Sequence, residues 1–253
     1  MVLGALLAES LQLVWPARCA ACDVLVAEWE VFCPACRLSL CPLAGACGGC
    51  ALPQPDANPT GVRCPVCRRV PFPFRGAWAA FEYGEAVADA IVRMKHGGRR
   101  DLGRRLARLL VAPLGAALVR GGFGADDVVL PVPLHPRRLR QRGFNQALEL
   151  ARWALRGVTR ATRGPPLPAQ PRLERRLLRR VRATRELGHA GPALRLAEVA
   201  GAFAVPDAGR VRGRRCLVVD DVFTTGATFS ECAGALLGAG ARSVDVLALA
   251  RAV

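Results

Sequence analysis

Residues 216–237 constrain the fold of this chain more than any other part of the sequence. A run of β-forming residues, 216–219, leads into two adjacent carboxylates, Asp220 and Asp221, and then into the hydroxyl- and glycine-rich stretch TTGAT. A helical pattern of small residues follows at 229–237. This order predicts a strand, a tight turn and a helix, which is the repeating unit of α/β proteins.

A turn of this composition at the start of a helix is suited to a phosphate group. Backbone N–H groups and the positive end of the helix dipole attract anions, and threonine hydroxyls add donors. The candidate phosphate-binding residues are Thr224, Thr225, Gly226, Ala227 and Thr228. Asp220 and Asp221 would repel the phosphate, but they can accept hydrogen bonds from sugar hydroxyls a few Å away. The pattern therefore predicts a site for a ribose 5-phosphate group, with the two carboxylates on its 2- and 3-hydroxyls.

Two other interpretations of this stretch stay open. Paired aspartates at a strand end also bind magnesium in phosphorelay receivers and nucleotide hydrolases, and a threonine turn can be an ordinary helix N-cap. Neither interpretation accounts for an acidic pair and a phosphate turn within the nine residues from Asp220 to Thr228.

The N-terminal quarter is rich in cysteine. Nine of the eleven cysteines lie between Cys19 and Cys67, and eight of them form Cys-x-x-Cys pairs: Cys19/Cys22, Cys33/Cys36, Cys47/Cys50 and Cys64/Cys67. Two such pairs can surround one tetrahedral ion, so the sequence predicts two structural zinc sites with no open ligand position. A disulfide framework is the alternative, but the short repeated spacers favour metal and nothing in the sequence points to secretion.

The sequence does not decide which two Cys-x-x-Cys pairs share one zinc ion. Neighbouring pairs could join in sequence order or cross over, and Cys41 is interpreted as a spare or packing thiol. The composition changes after the segment RRVPFPFRG, residues 68–76. We therefore expect an N-terminal helix and double zinc ribbon over residues 1–72 and a second domain over residues 73–253.

The chain is strongly basic. Its formal net charge is +16, and Lys95 is the only lysine, so the charge comes almost entirely from arginine. Such a balance indicates a polyanionic partner, either nucleic acid or a phosphorylated small molecule. The alternative is a compositional bias that writes arginine on solvated surfaces.

The sequence also gives an expectation for the cellular location of the protein. No stretch reaches the roughly 20 apolar residues that a membrane span requires. Residues 1–13 read as a short packing helix, because they lack the basic start and the cleavage site of a signal peptide. We expect a soluble cytoplasmic protein.

The remaining pattern alternates strands with helices. Strands are predicted at 77–83, 127–132, 203–205 and 243–250, and helices at 84–98, about 102–119, from near Asn145, and at 192–200. Residues 160–191 read as a basic, loop-rich segment. Such alternation predicts a parallel sheet flanked by helices.

Three segments together resemble a known family. The motif VVDDVFTTGAT, residues 218–228, resembles the phosphoribosyl-pyrophosphate signature of type I phosphoribosyltransferases. With the cysteine pairs and the segment VPLHPRRLRQRGFNQA, residues 132–147, the chain resembles the ComF family, amidophosphoribosyltransferase-like proteins linked to DNA uptake in competent bacteria. The resemblance covers nearly the whole chain. It implies an α/β type I phosphoribosyltransferase fold, a parallel sheet flanked by helices, with a small N-terminal double zinc-ribbon module.

The resemblance also implies a reaction. Type I enzymes carry out a magnesium-dependent transfer of the pentosyl group from phosphoribosyl pyrophosphate to an acceptor, which is unknown here. Asp220 and Asp221 would be the catalytic and ribose-binding residues, and magnesium would accompany the pyrophosphate. By the resemblance, the pyrophosphate falls to the residues Arg142 and Gly143, Arg138 and Lys95. A solvated basic turn is the alternative for Arg142 and Gly143, and a helix C-terminal cation is the alternative for Lys95.

One segment departs from the family pattern. Relatives usually carry Gln where Leu187 stands and Asn where Glu198 stands, while the matching residues of the pattern are Arg180, Arg182, Thr184 and Arg195. If this region forms a hood over the nucleophile, acceptor recognition is altered or lost here, and catalysis is less secure than ribose-phosphate binding.

The three histidines and the two C-terminal cysteines are expected to have no role in catalysis. His96, His135 and His189 are interpreted as loop residues, and Cys216 and Cys232 as core residues.

Two other function classes compete with the transferase. One is an accessory factor that binds single-stranded DNA during uptake or recombination, and the other is a ligand-sensing regulator with a non-catalytic phosphoribosyltransferase fold. The expected partners are therefore phosphoribosyl pyrophosphate and either single-stranded DNA or the proteins of DNA uptake and recombination.

Overall fold

The computed structural model describes residues 16–54, 63–161, 170–184 and 192–253. The helix expected at residues 1–13 and the positions Leu187 and His189 lie outside these ranges. The N-terminal module contains two short helices, α1 (Pro34–Leu38) and α2 (Pro65–Arg69).

The rest of the described chain alternates strands and helices. Its first half contains β1 (Gly76–Glu82), α3 (Glu85–His96), α4 (Arg100–Leu106), a 3-10 turn (Ala107–Leu110), α5 (Val111–Gly121), β2 (Val128–Pro131), α6 (Pro136–Arg142) and α7 (Gln146–Ala161). Its second half contains β3 (Arg172–Leu173), β4 (Arg179–Arg180), α8 (Pro192–Val199), β5 (Phe203–Ala204), a 3-10 turn (Ala208–Arg210), β6 (Arg215–Phe223), α9 (Ala227–Gly238) and β7 (Ser243–Arg251).

Five strands form one parallel sheet in the order β1-β7-β6-β2-β3. The central strand is β6, with Val219 paired to Leu247 on one side and to Pro131 on the other. Strands buried on both faces read as continuous apolar runs, and β7 is buried from Val244 to Arg251. The predicted fold class, a parallel sheet flanked by helices, is confirmed.

Successive residues of β6 pack into opposite layers, as the two-residue period of a strand requires. Leu217 and Val219 belong to the core formed with α3, α4, α5 and α7, whereas Val218 belongs to the core formed with α9. Cys216 and Cys232 are fully buried in this second core, as predicted.

The long helix expected at about 102–119 is broken into three pieces: α4, a 3-10 turn and α5. Pro113 explains the break, because proline has no N–H and its ring clashes with the carbonyl four residues earlier. A proline is tolerated in the first turn of a helix, and Pro113 occupies that turn in α5.

The sequence predicted a strand at 203–205 but not the strand with which it pairs. Phe203 and Ala204 pair antiparallel with Arg180 and Arg179 in a separate two-stranded sheet. The segment expected to be loop-rich therefore contributes one strand, β4, to this small sheet and another, β3, to the edge of the main sheet.

The eight paired cysteines form two clusters. Cys19, Cys22, Cys33 and Cys36 make the first centre, and Cys47, Cys50, Cys64 and Cys67 make the second; in each, the sulfur atoms all lie within 4.8 Å of one another. The pairs therefore join in sequence order. All these cysteines are free thiols, and Cys41 is an exposed thiol outside both clusters. Four sulfurs at this spacing can hold a metal ion, and the donor set suits zinc.

Backbone amides favour the thiolate form of one cysteine in each centre. Burial opposes ionisation of Cys19, but N–H groups of Cys22, Cys33 and Ala21 lower its pKa to about 6. Burial likewise opposes ionisation of Cys47, yet amide donors lower its pKa to about 7. Other ligands differ, since burial raises the pKa of Cys50 to about 12, and metal binding must supply the energy that ionises them.

The N-terminal module covers the exposed edge of β1. The amide of Ala77 donates to the carbonyl of Gly48 at 2.9 Å, and that of Leu43 donates to the carbonyl of Ala80 at 3.0 Å. A sheet edge covered in this way cannot pair with another chain. The predicted boundary between residues 72 and 73 stays a prediction.

Metal analysis of the purified protein should find about two zinc ions per chain. Replacing Cys67 by Ser should reduce the content to about one, because each centre draws on its own four sulfurs. Atomic absorption, with the Cys41→Ser variant as the matched control, measures this. A full zinc content in Cys67→Ser, or a loss in Cys41→Ser, would contradict the assignment of the two centres.

Candidate functional site

The site lies where the central strand β6 ends and α9 begins. The strand continues through Asp220 and Asp221 to Phe223, so the carboxylates stand within the last residues of the strand and not after it. Thr224, Thr225 and Gly226 make the turn, and Gly226 has the left-handed φ of +87° just before α9. Ligands of open α/β sheets bind at this carboxyl edge.

Gly226 is required by packing as well as by conformation. A Cβ atom on Gly226 would lie 2.6 Å from Cε1 of Phe72 and 3.0 Å from Cε2 of Phe223. Its side-chain position therefore faces the protein interior, and Gly226 does not line the cleft described next. Its predicted contact with phosphate could come only through its backbone N–H.

A cleft of about 240 Å³ opens at this edge of the sheet. It brings together most of the site residues that the sequence predicted. They are Lys95, Arg138, Arg142, Asp220, Asp221, Thr224, Thr225, Ala227 and Thr228. The cleft therefore combines an acidic pair, a turn with hydroxyl and amide donors, and basic side chains.

Gly143 lies elsewhere. It is the left-handed C-cap of α6, with φ +78°, and it lines a neighbouring cavity of about 520 Å³ that does not include the carboxylates. The sequence suggested a pyrophosphate loop at Arg142 and Gly143, but residues Pro136–Arg142 form a helix. Gly143 ends this helix. Arg138 and Arg142 therefore reach the cleft from a helix and not from a loop.

The two carboxylates have opposite electrostatic situations. Burial disfavours ionisation of Asp221, but the ammonium of Lys95, which pairs with its Oδ2, lowers the pKa of Asp221 below the usual value. Burial and the neighbouring charge of Asp221 raise the pKa of Asp220 well above its usual value. One acid is therefore held ionised, and the other resists ionisation.

Lys95 lies in the last turn of α3 and lines the cleft. Burial alone would lower its pKa, but the charge and hydrogen bond of Asp221 raise it, so the ammonium stays protonated. The side chain keeps about a quarter of its surface exposed. A compact ammonium on a flexible stem fits between the acids and an incoming ligand better than a planar guanidinium.

Gln146 also lines the cleft, although the sequence predicted no role for it. It is buried at the start of α7, and its Oε1 accepts a hydrogen bond of 2.8 Å from Nη1 of Arg142. A buried amide immediately after a helix N-cap was the available signal, since Asn145 caps this helix by accepting from the amide of Leu148.

The described part of the region expected to form a hood contributes residues to the cleft. Arg180, Thr184, Arg195 and Glu198 all line it, whereas Arg182 lines a wider depression next to it. Arg180 donates to Oγ1 of Thr184, and its guanidinium lies 5.2 Å from the ring centre of Phe203. The small sheet of β4 and β5 therefore carries this wall of the site.

The two described histidines are not among the residues of the cleft. His96 is the last residue of α3, and His135 caps α6 by accepting from the amide of Arg137 at 3.3 Å. Both therefore sit at helix ends, and His135 has a structural role.

Comparison with known proteins identifies the family. The chain is 31% identical over 248 residues to DNA utilization protein YhgH of Salmonella typhimurium, covering 93% of this chain and 97% of the relative. It is 26% identical over 239 residues to Competence protein F of Haemophilus influenzae, covering 92% and 90%. The chain belongs to the ComF family. No model of a known protein family matches it.

Solved structures overlap with this member of the ComF family only loosely. A hypoxanthine phosphoribosyltransferase from Staphylococcus aureus is 12% identical over 56% of this chain and 61% of its own, with a TM-score of 0.33. A phosphoribosylpyrophosphate synthetase from Mycobacterium smegmatis is 17% identical over 57% of this chain and 33% of its own, with a TM-score of 0.30. Likenesses at this level carry no argument about ligand or reaction.

Among the described residues, no helix combines the length and the apolar character that crossing a membrane would take.

Replacing Asp220 by Asn should stabilise the protein by about 1 kcal/mol, or about 2–4 °C in Tm, because it removes a buried like charge. The raised pKa of Asp220 means that stability is lost as pH rises from the ordinary carboxyl value toward the raised one, so the advantage of Asp220→Asn should grow with pH.

Asp221→Asn should instead destabilise by about 1–2 kcal/mol above the ordinary carboxyl pKa, because the lowered pKa of Asp221 contributes stability there that is lost as pH falls. Thermal unfolding of both variants, recorded from acid to neutral pH, measures the two changes in stability. Equal effects of the two substitutions would contradict the electrostatic asymmetry.

Proposed function

We propose that this protein binds phosphoribosyl pyrophosphate with magnesium in the cleft and transfers the phosphoribosyl group to an acceptor. One observation carries the proposal. A single strand–turn–helix places an acidic pair, of which Asp221 is buried, and a phosphate-type turn in one cleft, which basic side chains also line. A sugar phosphate with a second anionic group matches these three surfaces.

The 5-phosphate would bind at the turn before α9. This helix runs for twelve residues from Ala227, so its N-terminus presents N–H groups that have no partner within the helix, and a positive dipole end. One of them, the amide of Ala227, donates to Oγ1 of Thr225 at 3.4 Å. The hydroxyls of Thr224, Thr225 and Thr228 border the same part of the cleft. A phosphate at this position would receive backbone and hydroxyl donors together.

The ribose hydroxyls would bind at the acidic pair. Asp221 is held ionised by Lys95, so it is a strong acceptor at neutral pH. Asp220 resists ionisation, and hydroxyl donors supplied by a sugar would relieve its unfavourable charge. The ligand and the acidic pair would therefore stabilise each other.

The pyrophosphate and its magnesium would lie between the acids and the basic side chains. Two adjacent carboxylates, Asp221 buried and Asp220 with a raised pKa, fit a nearby cation, and carboxylate oxygens are ligands that magnesium accepts. Asp220 and Asp221 would face the ion or its waters, and Lys95, Arg138 and Arg142 would face the phosphate oxygens. Bound magnesium would offset the charge that develops on departing pyrophosphate.

The transfer needs no nucleophile from the chain. The lone pair of an acceptor nitrogen forms the new bond to ribose C1 as the C1–oxygen bond breaks and pyrophosphate leaves with its electron pair. The nitrogen then loses a proton, which the carboxylate of Glu198, a residue that lines the cleft, would accept. The chain's contribution is to orient the sugar, stabilise the leaving anion and cover the site.

The names of the relatives refer to DNA utilization and competence. We propose that the reaction serves DNA uptake or the use of the DNA taken up, and that the protein is cytoplasmic.

Calorimetric titration with phosphoribosyl pyrophosphate and magnesium should show binding to one site per chain, and Asp221→Ala should weaken it at least about tenfold. Asp89→Ala is the matched control, because Asp89 is an exposed acid on α3, the helix that carries Lys95. Wild-type affinity in Asp221→Ala, or no binding to the wild-type protein, would remove this proposal. Release of pyrophosphate on adding candidate amines and bases then tests turnover.

A second candidate function is binding of single-stranded nucleic acid, and a specific feature favours it. The cavity of about 520 Å³ next to the cleft is lined by apolar residues that include Pro133, Leu139 and Leu178, and by Arg100, Arg175, Arg176, Arg179 and Arg180. A further depression shares two of these arginines and adds Arg152 and Arg210. A lining of apolar and basic side chains suits bases and phosphates together.

Charge reversal tests this surface. Arg175→Glu with Arg176→Glu should weaken the binding of a fluorescent oligo-dT at least about tenfold and flatten its salt dependence, because phosphate contacts are lost. Arg120→Glu with Arg242→Glu is the matched control, since both arginines are exposed on other elements and the net charge changes equally. Equal weakening in both double variants would indicate non-specific attraction and would count against this surface.

A further inference from the structure

Arg251 is a buried cation near the cleft whose guanidinium donates to four backbone carbonyls. It ends β7 and keeps only 5% of its surface exposed. Its Nε donates to the carbonyl of Cys50 at 2.9 Å, and its Nη1 donates to the carbonyl of Phe223 at 3.0 Å and to those of Thr224 and Ala252. The guanidinium also lies 4.4 Å from the ring centre of Phe223.

These partners belong to two different parts of the molecule. Cys50 is a ligand residue of the second four-cysteine centre, whereas Phe223 ends the central strand and Thr224 begins the phosphate turn. One buried guanidinium therefore fixes the distance between the metal centre and the turn. A planar group with several N–H donors can satisfy carbonyls on both sides at once, which a lysine ammonium cannot do in the same geometry.

A second link runs through Phe72, which follows the last cysteine of the second centre by five residues. Its ring stacks on Phe74 with centroids 4.9 Å apart and meets the ring of Phe223 edge-on at 6.1 Å. It also occupies the space in front of Gly226, where a Cβ atom would collide with it. The back of the turn is therefore packed against the metal-binding module.

A buried guanidinium is tolerated where hydrogen-bond acceptors surround it, and the carbonyls of Cys50, Phe223 and Thr224 are such acceptors.

We propose that Arg251 is a positioning residue which, with Phe72, makes the shape of the phosphate turn depend on the second four-cysteine centre. The affinity for a ribose 5-phosphate group then depends on whether that centre is intact. The inference rests on the proposed function, because it concerns the turn assigned to the 5-phosphate.

The first centre provides a comparison within the same chain. Arg105 on α4 donates to the carbonyls of Arg18, Glu30 and Val31, so it links the first centre to a core helix through backbone carbonyls in the same manner. No residue of α4 is among those that line the cleft. Loss of Arg105 should disturb the module without disturbing the turn.

The experiment compares two probes that read different parts of the cleft. Ribose 5-phosphate depends on the turn, whereas inorganic pyrophosphate with magnesium depends on the basic side chains. Calorimetry with the zinc-loaded protein should show that Arg251→Met weakens ribose 5-phosphate at least about tenfold and changes pyrophosphate binding less than about twofold. Arg105→Met should leave both affinities unchanged, and Arg251→Lys should recover part of the loss.

Each outcome decides between the alternatives. If the wild-type protein binds neither probe, the proposed function fails and the inference fails with it. If the wild-type protein binds both and Arg251→Met does so equally well, or loses both equally, only the inference is overturned. Should Arg251→Met not fold, Phe72→Leu is the second variant; it trims the packing behind Gly226, and the same selective loss is expected.

A metal arm tests the dependence directly. Cys67→Ser, which opens the second centre, should lose ribose 5-phosphate binding, whereas Cys22→Ser, which opens the first, should keep it. Zinc content measured on the same samples shows that each centre was emptied. Equal affinities in the two variants would overturn the link between the second centre and the turn.

Discussion

The ion pair between Lys95 and Asp221 is the contact on which the arrangement of the site depends. Two adjacent carboxylates at the end of a central strand cannot be buried without a cation, since burial penalises each charge and the charges repel. The cation comes from the last turn of α3, so this helix must end beside the edge of β6. The pair thereby brings the first helix after β1 to the strand that carries the turn, although 126 residues separate Lys95 and Asp221 in sequence.

What the sequence predicted well was local. A Cys-x-x-Cys pair needs only a two-residue spacer to place both sulfurs on one ion, and the turn of Thr224 to Thr228 needs only a strand before it and a helix after it. The two four-cysteine clusters and the run of strand, turn and helix follow from such spacing. Long parallel strands were also visible, because burial on both faces leaves an apolar run.

What the sequence did not predict depends on contacts between distant segments. The pairing of Arg180 with Phe203, which builds the hood wall, brings together residues that no local pattern connects. Likewise, nothing in the composition of β7 shows that Arg251 contacts a carbonyl 201 residues earlier in the chain. The broken helix before β2 is a different case, since Pro113 was a visible signal that the apolar periodicity concealed.

The acidic pair also differs from the other buried acids of the fold. Asp127 is paired with Arg215, Asp245 with Arg75, and Glu149 with Arg100, so each has a guanidinium of its own. At the end of β6, burial and the neighbouring carboxylate outweigh Lys95 for Asp220, whose pKa is raised. A sequence selected for stability alone would replace this residue by a neutral one. Its presence is explained if the missing favourable interactions are supplied by something that enters the cleft, and hydroxyls of a sugar or a hydrated cation are the chemistry that would supply them.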